Sequence, residues 1–199
     1  MATARSRRVE YSESTRQALV DSAVELFTER GYGGTSLDEI ARSARVTKGA
    51  LYHHFGGKQA VFEAAFDQVQ ADIVGRIAAV IAEPSDPWTM MRAGLNAFLE
   101  VCLEPTYQRI VVREGAAVMG WEVWRDREER TTFGVLRTVV GQLIAEGEIE
   151  PLPLDSLSRV IFGGMSAGAT AIAASSDPRR TSAEVGRCME RLLEGLRVS

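Results

Sequence analysis

The chain has 199 residues, 45% of them hydrophobic and 25% charged, with a formal net charge of −4. That length holds one domain or two small ones with a real core, and the acidic balance excludes a broadly basic nucleic-acid coat. No apolar run approaches a membrane span, the N-terminal MATARSRRVEYSES lacks the apolar core of a signal peptide, and Cys102 and Cys188 stand alone, so a soluble cytoplasmic protein with no metal, cofactor or structural disulfide is expected.

The charge is unevenly placed. Residues 1–58 hold nine Lys and Arg against seven Asp and Glu, a local +2, while the remainder carries −6. Both lysines, Lys48 and Lys58, and both histidines, His53 and His54, lie in the first part. An acidic body with a locally positive head points to one nucleic-acid-facing end.

In chain order, residues 1–12 read as a mobile polar arm with Arg5, Arg7 and Arg8. From about Ser14 to Arg30 apolar residues recur at three and four (Leu19, Ala23, Leu26, Phe27), and Gly31 ends that helix. Ser36 and Glu39 have capping-box spacing, which predicts a helix from Leu37 with Ile40, Ala41 and Ala44 on one face. Arg45 and Val46 make a turn. Thr47 then caps a second short helix, Lys48 to Phe55, whose Leu51 and Phe55 pack inward. Lys48, Gly49, Tyr52 and His53 fall on its opposite face. That face offers a cation, a phenol, an imidazole and a close-approach glycine, which is the chemistry of a recognition helix.

A long helix follows from Lys58 to about Ala82, broken by Pro84 and Pro87. Further helices are expected over Pro87–Leu103, Thr106–Met119, Trp121–Ala145, Leu154–Ser175 and Ser182–Arg197. No segment alternates with period two and no repeat is present. The fold class is all-α, about nine helices.

The first helix, G-Y-G-G-T-S-L-D-E-I-A and V-T-K-G-A-L-Y-H-H-F-G-G-K together resemble the DNA-binding domain of the TetR family of transcriptional regulators. The resemblance is close over about residues 12–72 and architectural beyond. It implies a helix-turn-helix DNA-binding domain at 12–72 and a ligand-binding and dimerisation domain at 73–199. It also implies a homodimer that represses from a palindromic operator in double-stranded DNA and is released by a small-molecule effector. Carried over residue by residue, Thr47 caps the recognition helix and contacts phosphate, Lys48 and Gly49 face the groove, and Tyr52 and His53 reach the backbone with His54 at the same edge. Lys58 meets a phosphate at the start of the next helix, and Thr35 and Ser36 stand where the preceding helix meets the opposite strand. Arg45 departs from the pattern, which has Gly in this turn. A non-glycine residue there costs roughly 1 kcal/mol if φ is positive, unless the turn differs, and Arg45 is also a candidate phosphate contact.

The resemblance likewise places a ligand pocket among the large side chains of the body: Met91, Phe98, Tyr107, Val111, Trp121, Trp124, Phe133 and Phe162, with Arg113 and Glu114 as candidates for a polar ligand group. Core packing and a solvated ion pair are the plain alternatives for these residues. The last two helices would form a four-helix dimer interface through Leu157, Ile161, Gly164, Met165, Gly168, Ile172, Val185, Met189, Leu192 and Leu196.

Gly164-Met165-Ser166-Ala167-Gly168 matches G-x-S-x-G. The match lacks a preceding strand and any later His, so it reads as close helix packing rather than a nucleophile elbow. Adjacent His53 and His54 point about 100° apart on a helix and do not chelate one ion. The chain is therefore expected to be a regulator and not an enzyme. A DNA-binding regulator without an effector is the alternative, a helical enzyme a remote one, and a ligand-binding protein whose head no longer reads DNA a third.

Overall fold

The computed structural model describes residues 2–82 and 86–198, with side chains from Tyr11 onward. Pro84, an expected helix breaker, lies outside these residues, as do the side chains of Arg5, Arg7 and Arg8. Among the described residues there are ten α-helices, one π-helical segment and no β-strand beyond a single bridge. The helices are α1 (Ala2–Arg30), α2 (Leu37–Ser43), α3 (Lys48–His54), α4 (Lys58–Ile81) and α5 (Pro87–Val101). The π-helical segment Tyr107–Glu114 then runs into α6 (Gly115–Met119), α7 (Trp121–Arg130), α8 (Thr132–Ala145), α9 (Leu154–Ala174) and α10 (Pro178–Glu194).

Three features differ from the sequence reading in ways that bear on function. The backbone of residues 2–12 continues α1 instead of forming an arm. That stretch has no Pro or Gly, and extending an existing helix costs far less than nucleating one. The single helix expected over Trp121–Ala145 is two, because Thr131 leaves helical geometry at φ −115 and ψ −101. Its hydroxyl donates to Arg127 O at 2.8 Å, and this local bond competes with the helix ladder. The third difference is α9, which at 21 residues and a mean hydropathy of 1.3 is long and apolar enough to cross a membrane by length and composition. It is rich in Gly and Ala, and 44% of that apolar window is buried inside the protein.

The head is α1 to α3 with the first half of α4. Leu19, Ala23, Phe27, Ile40, Leu51, Val61, Phe62 and Phe66 meet there with no more than trace exposure. Phe27 and Tyr32 pack around Phe62, with ring centroids 5.3 and 5.4 Å from it. Burying one side chain such as Leu51 contributes on the order of 2 kcal/mol, which anchors a helix of only seven residues. The division placed at residues 72 and 73 falls inside α4, which runs unbroken from the head into the body. In the body α4 packs on α5, α5 on α8 and α10, and α9 on α8 and α10. Gly168 lets α9 and α10 close together, since a Cβ there would lie 2.6 Å from Val185 Cγ1. The chain's end ties back to the α8–α9 loop, where Val198 N–H donates to Glu148 O at 3.0 Å.

Candidate nucleic-acid interface and ligand cavities

The short head helices are set by their caps. Ser36 Oγ accepts from Glu39 N–H at 3.2 Å and the Glu39 carboxylate accepts from Ser36 N–H at 2.9 Å, a complete capping box. The Ser36 hydroxyl donating to the Glu39 carboxylate at 2.7 Å, then the Ser36 N–H, ahead of the positive charges of Arg30 and Arg42, hold that carboxyl below its ordinary range. Thr47 Oγ1 accepts from Ala50 N–H at 3.1 Å and starts α3.

Between the two helices Arg45 has φ +56, the one non-glycine residue with positive φ among those described. Val46 N–H donates to Ala41 O at 3.0 Å and Arg45 N–H to Arg42 O at 3.1 Å. This is the Schellman pattern, with Arg45 in the left-handed position where glycine usually sits. The turn is the ordinary one, and the strain of roughly 1 kcal/mol is borne by it.

On α3, Leu51 is fully buried while Tyr52 is 52% exposed. Lys48, Gly49 and His53 are exposed beside Tyr52, and His54 is half-buried at the edge. A Cβ on Gly49 would meet nothing nearer than Thr47 Oγ1 at 3.9 Å, so the space before it is open for an approaching surface. Lys48 Nζ pairs with Asp38 at 2.8 Å, and that hydrogen bond raises its pKa. Partial burial, then the neighbouring His53 and Arg16, lower the pKa of His54. At the start of α4, Lys58 Nζ sits 4.3 Å from the centre of the Tyr32 ring. Thr35 does not belong to this face. It is 3% exposed, and its hydroxyl donates to Gly31 O at 2.9 Å and Leu26 O at 3.2 Å, capping the carbonyl end of α1.

Two of the body's cavities together take in six of the expected ligand residues. The first is an apolar seam of about 40 Å³ among α4, α5, α8, α9 and α10, and Met91 and Phe98 line it. The second has about 170 Å³, lies between the π-helical segment, α7 and α9, and is lined by Tyr107, Val111, Trp121, Trp124, Glu128 and Ser166 among others.

Four expected ligand residues line neither cavity. The Arg113 guanidinium donates to Ala173 O near the end of α9, and Glu114 accepts Tyr32 N–H at 2.8 Å. Phe133 and Phe162 pack edge to face at 5.6 Å between α8 and α9. The expected dimer set also needs correction. Leu157, Ile161, Met165, Ile172 and Met189 are 8% exposed or less, and Gly168 is covered by Val185, so these residues glue α9 into its own chain. Gly164 and Leu192 are exposed, and Val185 and Leu196 half-buried. The outward face of α9 is one step round the helix, at Val160, Gly163, Gly164, Ala167, Ala171 and Ala174. Ser166 lies in the middle of α9, with no strand before it.

Sequence reasoning missed Gln70 and Glu128, which are 1% and 5% exposed. Glu128 sits in a run of charges that reads as solvated. One signal was present: Trp121, Trp124 and Glu128 are spaced three and four apart, which puts them on one face.

Residues 19–65 match the family model described as bacterial regulatory proteins, tetR family, and residues 88–196 match that of the tetracyclin repressor-like C-terminal domain. A solved TetR-family transcriptional regulator from Pectobacterium atrosepticum is 34% identical, with 96% of this chain and 97% of that one covered and a TM-score of 0.85. The chain belongs to the TetR family.

Other relatives agree with this TetR-family assignment. The Transposon Tn10 TetC protein of Escherichia coli is 28% identical over 159 residues, 80% of either chain. The HTH-type negative transcriptional regulator IcaR of Staphylococcus aureus is 44% identical over 48 residues, 24% of this chain and 26% of that one. TetR-family proteins are DNA-binding regulators and not enzymes, which leaves the G-x-S-x-G of α9 as helix packing.

Proposed function

We propose that this TetR-family regulator acts as a homodimeric repressor in the cytoplasm, that α3 reads a palindromic operator, and that a small molecule in the body releases it. The observation that carries the reading is the exposed face of α3. Lys48, Gly49, Tyr52 and His53 stand together there beside the Thr47 cap, in the half of the chain that holds both lysines. Ser36, Arg45 and Lys58 flank this face as phosphate contacts. Lys58 exchanges the Tyr32 ring for a phosphate, and the uncapped start of α4 adds free N–H groups.

The uncharged outward strip of α9 from Val160 to Ala174, with Leu192 of α10, supports a second copy as partner. A two-fold dimer presents two α3 helices to two successive major grooves, and this requires an operator with two-fold symmetry. A footprint on the DNA flanking the protein's own gene tests the reading. Two protected half-sites about one helical turn apart are expected, with affinity falling steeply as salt rises. Sequence-independent binding, or affinity flat in salt, would sink it.

A further inference from the structure

The second cavity differs from the first in chemistry as well as size. The apolar seam has room for about one water and only Thr132 among its lining as a polar side chain. The cleft between the π-helical segment and α9 has about 170 Å³, the scale of one aromatic ring. Its wall is Tyr107, Val111 and Val112 of the π-helical segment, a geometry frequent at functional sites. At its rim the exposed Trp121 ring stacks on Trp124 at 4.9 Å.

At its floor is Glu128, 5% exposed. Its carboxylate accepts one hydrogen bond, from Gln70 Nε2, and among the described residues no Lys, Arg or His lines the cleft. The neighbouring Arg127 points away, committed to Glu63 at 2.9 Å and Asp67 at 2.6 Å. The titratable group facing Glu128 is Tyr107, whose phenol burial keeps protonated. A charged carboxyl buried without a counter-ion is costly, and a cation beside it would offset that cost.

We propose that this cleft is the effector site and that its effector is a small aromatic ammonium. The ring lies against the Trp121–Trp124 stack, and the N–H groups donate to Glu128. An aromatic face and a carboxylate favour the same ligand charge, one through the ring quadrupole and the other through Coulomb attraction in a medium of low dielectric. The loss of the proton from Glu128, which burial holds on up to about pH 7, is then compensated by the ligand's charge. The proposal rests on the reading of the chain as an effector-controlled repressor. The π-helical segment supplies the route to the head, since Glu114 at its end holds the backbone of Tyr32.

Titration of the full-length protein with 2-phenylethylammonium, 2-phenylethanol and phenylacetate, followed by tryptophan fluorescence, tests the site without DNA. The ammonium should bind at least tenfold more tightly than the alcohol, and the carboxylate least well. Glu128→Gln, which keeps the shape and the Gln70 bond, should bring ammonium and alcohol within about twofold of each other. Equal binding of ammonium and alcohol to the wild type, or an undiminished preference in Glu128→Gln, overturns the proposal, and the wild-type comparison does not depend on the variant folding. Adding the ammonium to the operator complex should then release the DNA. Binding without release overturns the effector role. A protein that never makes a sequence-specific footprint instead refutes the repressor reading and leaves the ligand titration to be judged on its own.

Discussion

The head and the body are built from the same kind of helix, yet they hold their polar groups in opposite ways. In the head the polar groups of the exposed face are satisfied close by in sequence. Ser36 and Glu39 cap each other, and Thr47 receives Ala50 N–H, each pair three residues apart. In the body the decisive polar groups have remote partners, and Gln70 and Glu128 among them are buried. Gln70 meets Glu128 from 58 residues away, Arg113 reaches Ala173 from 60, and Glu114 holds Tyr32 from 82. Local satisfaction leaves the head free to present side chains outward. Remote satisfaction makes the body a unit in which changing one buried group is felt by several helices.

That contrast can be broken from either side, and the largest effect should come from the body. Val160 is 73% exposed on the uncharged strip of α9. Val160→Glu should leave the protomer's melting unchanged but put two uncompensated charges near the two-fold axis, weakening the dimer at least a hundredfold by sedimentation. A dimer of wild-type affinity would move the interface elsewhere.

Next is Glu128, whose pKa burial raises from the ordinary 4.5 to about 7, with the Gln70 bond opposing the rise. The folded chain binds a proton there that the unfolded chain has released. This group's contribution to stability is therefore greatest below pH 4.5, falls as pH rises to about 7, and is flat beyond. Glu128→Gln should be more stable than the wild type by about 3 kcal/mol at pH 8 and equal to it at pH 4, read by urea unfolding at both. A gain independent of pH would mean the carboxyl is not the source.

Head substitutions should be smaller and local. Lys48→Ala should weaken operator binding about tenfold and lower the salt slope by about one per head, with the dimer unaffected. Unchanged binding would mean α3 is turned differently in the groove. Smallest is Arg45→Gly, which relieves the left-handed strain at φ +56 and should add about 1 kcal/mol of stability by chemical denaturation. A loss of operator affinity in that variant would reveal a phosphate contact by the arginine.

The same contrast sets what the sequence could disclose. The caps at Ser36 and Thr47 and the inward pair Leu51 and Phe55 follow from spacings of a few residues, and the structure has each of them; the question of strain at Arg45 came from the resemblance, and its positive φ decides between the two answers left open. Thr35 was misjudged because its partners, Leu26 O and Gly31 O, belong to the previous helix. In the body, periodicity gave the helices but not which side of a wide apolar stripe meets its own chain. Leu157, Ile161 and Met165 therefore looked like interface although they are core, while Val160 beside them is outside. Glu128 was hidden by its charged neighbours, because burial is decided by α4 and the π-helical segment and not by its own stretch of chain.

The junction at Tyr32 has a mechanical consequence. The head joins the body through the unbroken α4, and again at the end of α1, where Glu114 holds the Tyr32 amide and Thr28 donates to Thr106 Oγ1 at 3.2 Å. A rigid piece fixed at one point can pivot in any direction; fixed at two, it turns only about the line between them. Motion passed from the body to α3 is thereby confined to a single swing axis for as long as the contacts at the end of α1 last. The exchange rate of one amide proton, that of Tyr32, is a gauge of whether that axis is in place.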